Sequence, residues 1–186
     1  MLNTAVWDVE TKYYTDSPYD AELSSISVIF TDDNKFRFYD GDDDTIAEGV
    51  RSLLKAKRIC GFNSHLFDVP TVLKYLTREE GRKLRMIPHL DFYHEYTQQK
   101  SGQRISLYNM SKSTLGPWDC KMELWNDTAI SLYRNNPMKL MAYNNWDTKV
   151  TFRLLQYLHT FGYVWYTAPM RQRLHIPNWS PILWDR

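Results

Sequence analysis

Val6-Trp7-Asp8-Val9-Glu10-Thr11 places two acids one residue apart inside an otherwise apolar run. Side chains alternate along a strand, so residues 4–10 put Val6, Asp8 and Glu10 on one face and Ala5, Trp7 and Val9 on the other. Both carboxylates thus point where an apolar residue is the ordinary choice. Acids gathered at a core-facing position repel one another unless cations neutralise them, and an all-oxygen donor set suits Mg²⁺ or Mn²⁺.

Two more acids share this property. Leu140, Tyr143, Asp147, Val150/Thr151, Leu154 and Leu158 follow the 3–4 spacing of the inward stripe of a long helix, predicted over about 138–159. Asp147 interrupts that stripe with a charge, which is costly unless the charge is paired with Lys or Arg or coordinates a metal. Tyr143 lies four residues earlier on the same face, either as a core side chain or as a phenol that hydrogen-bonds a metal-bound water. Asp68 precedes Val69-Pro70 at a predicted helix start, where it serves as an N-cap, a role compatible with metal contact. Asn63 and Phe67 read as a turn residue and a core residue.

The remaining pattern is strand-first and helix-later. Ile26 to Phe30 and Lys35 to Tyr39 form a hairpin around the Asp32-Asp33-Asn34 turn. Thr45 caps a helix running to about Lys55, Arg58 to Phe62 is a fourth strand, and 87–92 is a fifth strand or a connector. A helix from Asp68 to about Leu76 is followed by a basic, irregular stretch over 77–87. Further helices are predicted over 106–115, 126–133 and 138–159, with Gly162 ending the last. The result is one α/β domain over 1–162, with strands 1–3 antiparallel, parallel additions and flanking helices. An irregular tail over 163–186, holding Pro169, Pro177, Pro181 and three Trp, packs across it.

Net charge is +1, but residues 1–50 hold 12 Asp/Glu against 3 Lys/Arg, while the remainder holds 20 basic against 10 acidic residues. An acidic edge beside a basic body suits an enzyme that acts on a polyanion. The run Asp40-Gly41-Asp42-Asp43-Asp44 reads by itself as a solvated loop. The 28 aromatic residues serve the core first, although aromatics also stack on unpaired bases. Cys60 and Cys120 lack metal spacing and read as reduced thiols. No apolar run approaches a membrane span, and no leader is visible, so the expected location is cytoplasmic (host cytoplasm for a viral chain).

Taken in order, three motifs resemble one known family. Asp8-Val9-Glu10-Thr11 looks like a D-x-E-T exonuclease motif, Asn63-x-x-x-Phe67-Asp68 resembles the second motif, and Tyr143-x-x-x-Asp147 the third. The ordered set is similar to the DEDDy 3′–5′ exonucleases, proofreading-type nucleases with a ribonuclease H-like fold. The segment from Ser106-Leu107 to Leu115-Gly116, with Lys121 downstream, resembles the stretch between the second and third motifs.

The resemblance implies a catalytic set of Asp8, Glu10, Asp68, Tyr143 and Asp147 and a cofactor of two divalent cations, Mg²⁺ or Mn²⁺. Asp8, Glu10 and Asp147 would hold one ion, Asp8 would bridge to the second, and Asp68 would contact that second ion. Tyr143 would orient the attacking water; Thr11, Asn63 and Phe67 would contact the terminal nucleotide. Lys12 stands where the family often carries a hydrophobic wedge. The implied activity is stepwise release of nucleoside 5′-monophosphates from single-stranded or frayed DNA by a stand-alone enzyme, any polymerase being a separate partner. Alternatives are a 3′–5′ exoribonuclease, a catalytically inactive module that binds nucleic acid or a partner, and an endonuclease such as a junction resolvase.

Overall fold

β1 (Thr4–Thr11) is buried on both sides except at its acids and Thr11, as expected of a central strand. A computed structural model describes residues 3–100, 102–122 and 128–179. β1 pairs antiparallel with β2 (Leu23–Phe30), which pairs antiparallel with β3 (Phe36–Asp40). On its other edge β1 pairs parallel with β4 (Arg58–Gly61), followed in parallel by β5 (His89–Asp91). The five-stranded order β3-β2-β1-β4-β5 is the mixed α/β sheet expected from the sequence, with helices on both faces.

The alternation along β1 divides the core in two. Ala5, Trp7 and Val9 pack with Ile26, Val28, Ile46, Val50 and Leu53 beneath α1 (Asp43–Ser52). Val6 faces the opposite side, where Leu154, Leu155 and Leu158 of α7 (Pro137–Phe161) lie. Asp8 and Glu10 extend that second face past its apolar part. Pro137 in the first turn of α7 and Gly162 beyond its end, with φ 76°, bound this helix.

Several local expectations are corrected. α1 is capped by Asp42, whose side chain accepts from the Thr45 amide, and not by Thr45. Asp43 and Asp44 fill its first turn, so the acidic run is in part a helix start with carboxylates at the positive end of the dipole. The stretch 77–87 is not irregular: Thr77 and Glu80 form a reciprocal capping box that opens α3 (Arg78–Met86). α4 (Phe92–Gln99) follows β5 directly. α2 (Asp68–Val72) is short and tightens into a 3₁₀ turn over Leu73–Tyr75. α5 (Leu107–Leu115) forms as expected, whereas α6 is described over Ala129–Asn135, and the predicted start at 126 lies outside the described residues.

The segment after Gly162 is also not irregular. β6 (Tyr163–Thr167) and β7 (Arg171–His175) form an antiparallel hairpin whose inner side chains, Val164, Tyr166 and Leu174, join the core beneath α7. Residues 180–186 lie outside the described residues. Both cysteines are free thiols.

Candidate metal centre

The acid face of β1 stays open to α7 because its neighbours on β2 are small. Asp8 lies opposite Ser27 and Glu10 opposite Ser25. The two serine hydroxyls bond α7 instead: Ser27 donates to Asn145 Oδ1 at 2.7 Å and Ser25 to Asn144 Oδ1 at 3.5 Å. Asn144 completes the clamp by donating from Nδ2 to Asp8 Oδ2 at 2.8 Å. These contacts fix α7 over the sheet, one turn before Asp147.

The helix therefore delivers Asp147 to the two strand acids. One carboxylate oxygen each from Asp8, Glu10 and Asp147 lie within 4.8 Å of one another. Asp147 is 2% exposed, and Lys121 Nζ donates to its Oδ2, while Oδ1 is buried without a partner. Of the two sequence alternatives for Asp147, the ion pair with a basic side chain is formed, by Lys121, and the same residue stands beside Asp8 and Glu10, as metal coordination would require. The Lys121 ammonium also sits 5.0 Å from the Tyr143 ring centroid, and the Tyr143 phenol lies against Asp147 and Lys121.

The expected N-cap role of Asp68 is corrected. Asp68 is the first residue of α2, the capping position is Phe67, and no side-chain cap bond forms. Asp68 is buried, and its Oδ2 has no hydrogen-bond partner. A carboxylate oxygen so placed is expensive unless it is protonated or meets a cation. Asp68 lies outside the three-acid cluster but close enough that the charges of Asp8 and Glu10 raise its pKa.

The electrostatics of all four acids agree. Burial, then Asp147, pushes Asp8 up to about 7. Burial, then Asp8 and Asp147, holds Glu10 well above its ordinary value. Burial dominates for Asp68 also, followed by Asp8, Asp91 and Glu10. Asp147 is raised by burial, which outweighs the opposing ion pair with Lys121. Burial lowers the Lys121 pKa, but the charges of Asp147 and Asp8 and the hydrogen bond to Asp147 overcome it, so this lysine stays protonated. One ammonium among four acids, Asp68 and Asp147 buried and Asp8 and Glu10 half-buried, leaves a deficit of positive charge. With only oxygen donors and two unpartnered buried oxygens, Asp8, Glu10, Asp68 and Asp147 fit hard divalent cations.

The loop that carries Asn63, Phe67 and Asp68 is held by a residue absent from the sequence reading. Asp91 is 1% exposed at the end of β5, and its carboxylate accepts from four backbone amides. Oδ1 accepts from Asn63 at 2.8 Å, Tyr93 at 2.9 Å and His94 at 3.2 Å, and Oδ2 from His65 at 2.8 Å. Asp91 thereby caps α4 and pins the loop, where Asn63 adopts a left-handed φ of 62°. Asp directly before a helix start was the available signal. Asp91→Ala should destabilise the fold by about 3 kcal/mol, because several buried amides lose their acceptor. Urea denaturation measures this, and an unchanged midpoint would contradict it.

Thr11 ends β1 beyond a bulge at Glu10/Thr11, and Asn63 and Phe67 are half-buried. Tyr143 is buried against Leu132 and Leu140 as well as against the acids, so it is core and site residue together. Asn144, three residues before Asp147 on the same helix, and Lys121 complete the first ring around the acids. An open cleft of about 770 Å³ lies elsewhere, between α5 and the β6–β7 turn.

A family model described as RNase_H superfamily matches residues 6–159, from β1 to the end of α7. The chain belongs to this superfamily. Its fold is also that of solved structures at low identity. The family B DNA polymerase of the hyperthermophilic archaeon Pyrobaculum calidifontis superposes with a TM-score of 0.63 at 15% identity, over 85% of this chain and 24% of the polymerase. Exonuclease I superposes with a TM-score of 0.51 at 12% identity, over 86% of this chain and 41% of that one. The RNase H superfamily chain thus spans well under half the length of either structure. No curated protein matches it. None of its described helices is long and apolar enough to cross a membrane.

Proposed function

We propose that the protein is a metal-dependent 3′–5′ exonuclease of DEDDy type that releases nucleoside 5′-monophosphates from single-stranded or frayed DNA. The observation that carries this reading is the convergence of Asp8, Glu10 and Asp147 within 4.8 Å, from a strand and a helix far apart in sequence. Membership of the RNase H superfamily and the fold shared with exonuclease I support it. Asp8, Glu10 and Asp147 would hold one divalent cation, Mg²⁺ or Mn²⁺, and Asp8 and Asp68 would hold a second. Such ions, when bound, activate a water and neutralise charge on the leaving 3′ oxygen.

The chain's own groups do the rest. Tyr143, buried beside Asp147, keeps its proton because burial and the Asp147 charge raise its pKa, so the phenol donates a hydrogen bond that orients the attacking water. Lys121 holds one oxygen of Asp147 and leaves the other for the cation. Asn144 does the same for Asp8 by occupying Oδ2. Thr11, Asn63 and Phe67 receive the terminal nucleotide, Phe67 by stacking. A polymerase, where one participates, is a separate partner.

Incubating a 5′-labelled single strand with Mg²⁺ or Mn²⁺ tests the reading. A ladder shortening one nucleotide at a time from the 3′ end is expected, with a closed circle left intact. Cleavage of the circle, or no metal-dependent release, would overturn it. Matched RNA and DNA strands in parallel decide the sugar, since only a 2′-OH contact distinguishes them. Tyr143→Phe should slow turnover by roughly 10²-fold with metal affinity nearly unchanged. Loss of metal affinity in that variant would contradict the orienting role.

A further inference from the structure

The β6–β7 hairpin presents an outer face of alternating aromatic and cationic side chains. Its register sets Tyr163 opposite His175, Trp165 opposite Arg173 and Thr167 opposite Arg171, so an aromatic strand lies beside a cationic one. Arg171 lies 4.4 Å from the Trp165 ring centroid, and Arg173 lies 4.6 Å from that of Tyr163 and 4.9 Å from that of Trp165. Arg171 and Arg173 are exposed, and neither forms a salt bridge with a carboxylate of the described residues. Tyr157 and the exposed Phe161, both in the last turns of α7, extend the aromatic row, with ring centroids 4.4 Å apart.

The hairpin is firmly seated. Thr114 Oγ1 donates to the Trp165 carbonyl and accepts from its amide, both at 2.9 Å, and the Asn109 side chain bonds both backbone groups of Thr167. Beside it runs the open cleft of about 770 Å³, flanked by Lys112 and Arg171. Residues 100–115 and 161–179 contain Lys100, Arg104, Lys112, Arg171 and Arg173 and no Asp or Glu. α7 connects this face to the acid cluster: Tyr157 and Phe161 lie about 15–21 Å along the helix from Asp147.

We propose that this face binds the single-stranded nucleic acid behind the 3′ end, phosphates meeting Arg171 and Arg173 and bases stacking on the aromatic row. Guanidiniums already spread over aromatic rings are ordered before the strand arrives, and base stacking on such platforms is tolerant of sequence. The uniform positive charge selects a polyanion. The proposal rests on the nuclease reading for its substrate but needs no catalysis to be tested.

The experiment measures binding of labelled dT4, dT20 and rU20 to the full chain in Ca²⁺, together with Mn²⁺-dependent release from dT4. Arg171→Glu combined with Arg173→Glu should weaken dT20 and rU20 about tenfold or more and leave dT4 unchanged. The slope of log Kd against log salt should fall by about 1.4 for two lost phosphate contacts. Arg171→Gln with Arg173→Gln should show the same slope change, and carries the test should the glutamate pair misfold. Unchanged dT20 affinity, or equal losses for dT4 and dT20, would overturn the proposal and leave the face to an acidic protein. Release from dT4 with unchanged dT20 binding removes only this proposal, whereas length-dependent binding without any release removes only the nuclease reading.

Discussion

Asp8→Ala should lower nucleotide release from a single strand by on the order of 10³-fold or more, since it removes the carboxylate assigned to both cations. Asp147→Ala should be as inactive. The two variants should differ in stability. Asp8 sits among like charges, and burial and Asp147 raise its pKa to about 7, so in EDTA its removal relieves repulsion. Asp147 is the direct partner of Lys121, so its removal strands a buried ammonium. Melting in EDTA should therefore leave Asp8→Ala at least as stable as the parent and Asp147→Ala less stable. Measurable activity in either variant would contradict the assignment of the acids; reversed stabilities would contradict the charge account.

The second large effect is a dependence of stability on pH that cations abolish. Asp8 moves from an ordinary value of 3.8 to about 7 in the folded chain. A carboxyl whose folded pKa is raised binds more protons folded than unfolded between those values, so stability falls as pH rises from about 4 to about 7. Glu10 and Asp68 are displaced in the same direction, which deepens the fall. In EDTA the melting temperature should fall between pH 5 and pH 8, and millimolar Mn²⁺ should restore it at pH 8. Asp8→Ala should flatten the EDTA profile. A flat profile for the parent, or no response to Mn²⁺, would refute the picture of acids waiting for cations.

Much of this is legible in the sequence because the decisive signals are periodic. Alternation puts Asp8 and Glu10 on one face, and the helical stripe places Asp147 inward. Where apolar periodicity is thin, elements stay hidden. α3 buries only Gly81 and Leu84, so its one clear signature is the Thr77/Glu80 capping box. In the terminal hairpin, Tyr163 and Trp165 face outward while Val164 and Tyr166 face inward, so large apolar residues on both faces mask the alternation. Asp68 reads as a cap because Asp before Val-Pro usually is one; its unpartnered buried oxygen appears only in three dimensions. The cap that Asp91 gives α4 is local, but its hold on Asn63 and His65, and the bond of Asn144 to Asp8, span 26 to 136 residues of sequence, which no local pattern encodes.

The centre itself is tested most directly by crystals of the protein grown with Mn²⁺ and measured for anomalous scattering. Two peaks are expected, one bound by Asp8, Glu10 and Asp147 and the other reached by Asp8 and Asp68, with Lys121 still on the outer oxygen of Asp147. Saturating Mn²⁺ with no peak among these four carboxylates would contradict the account.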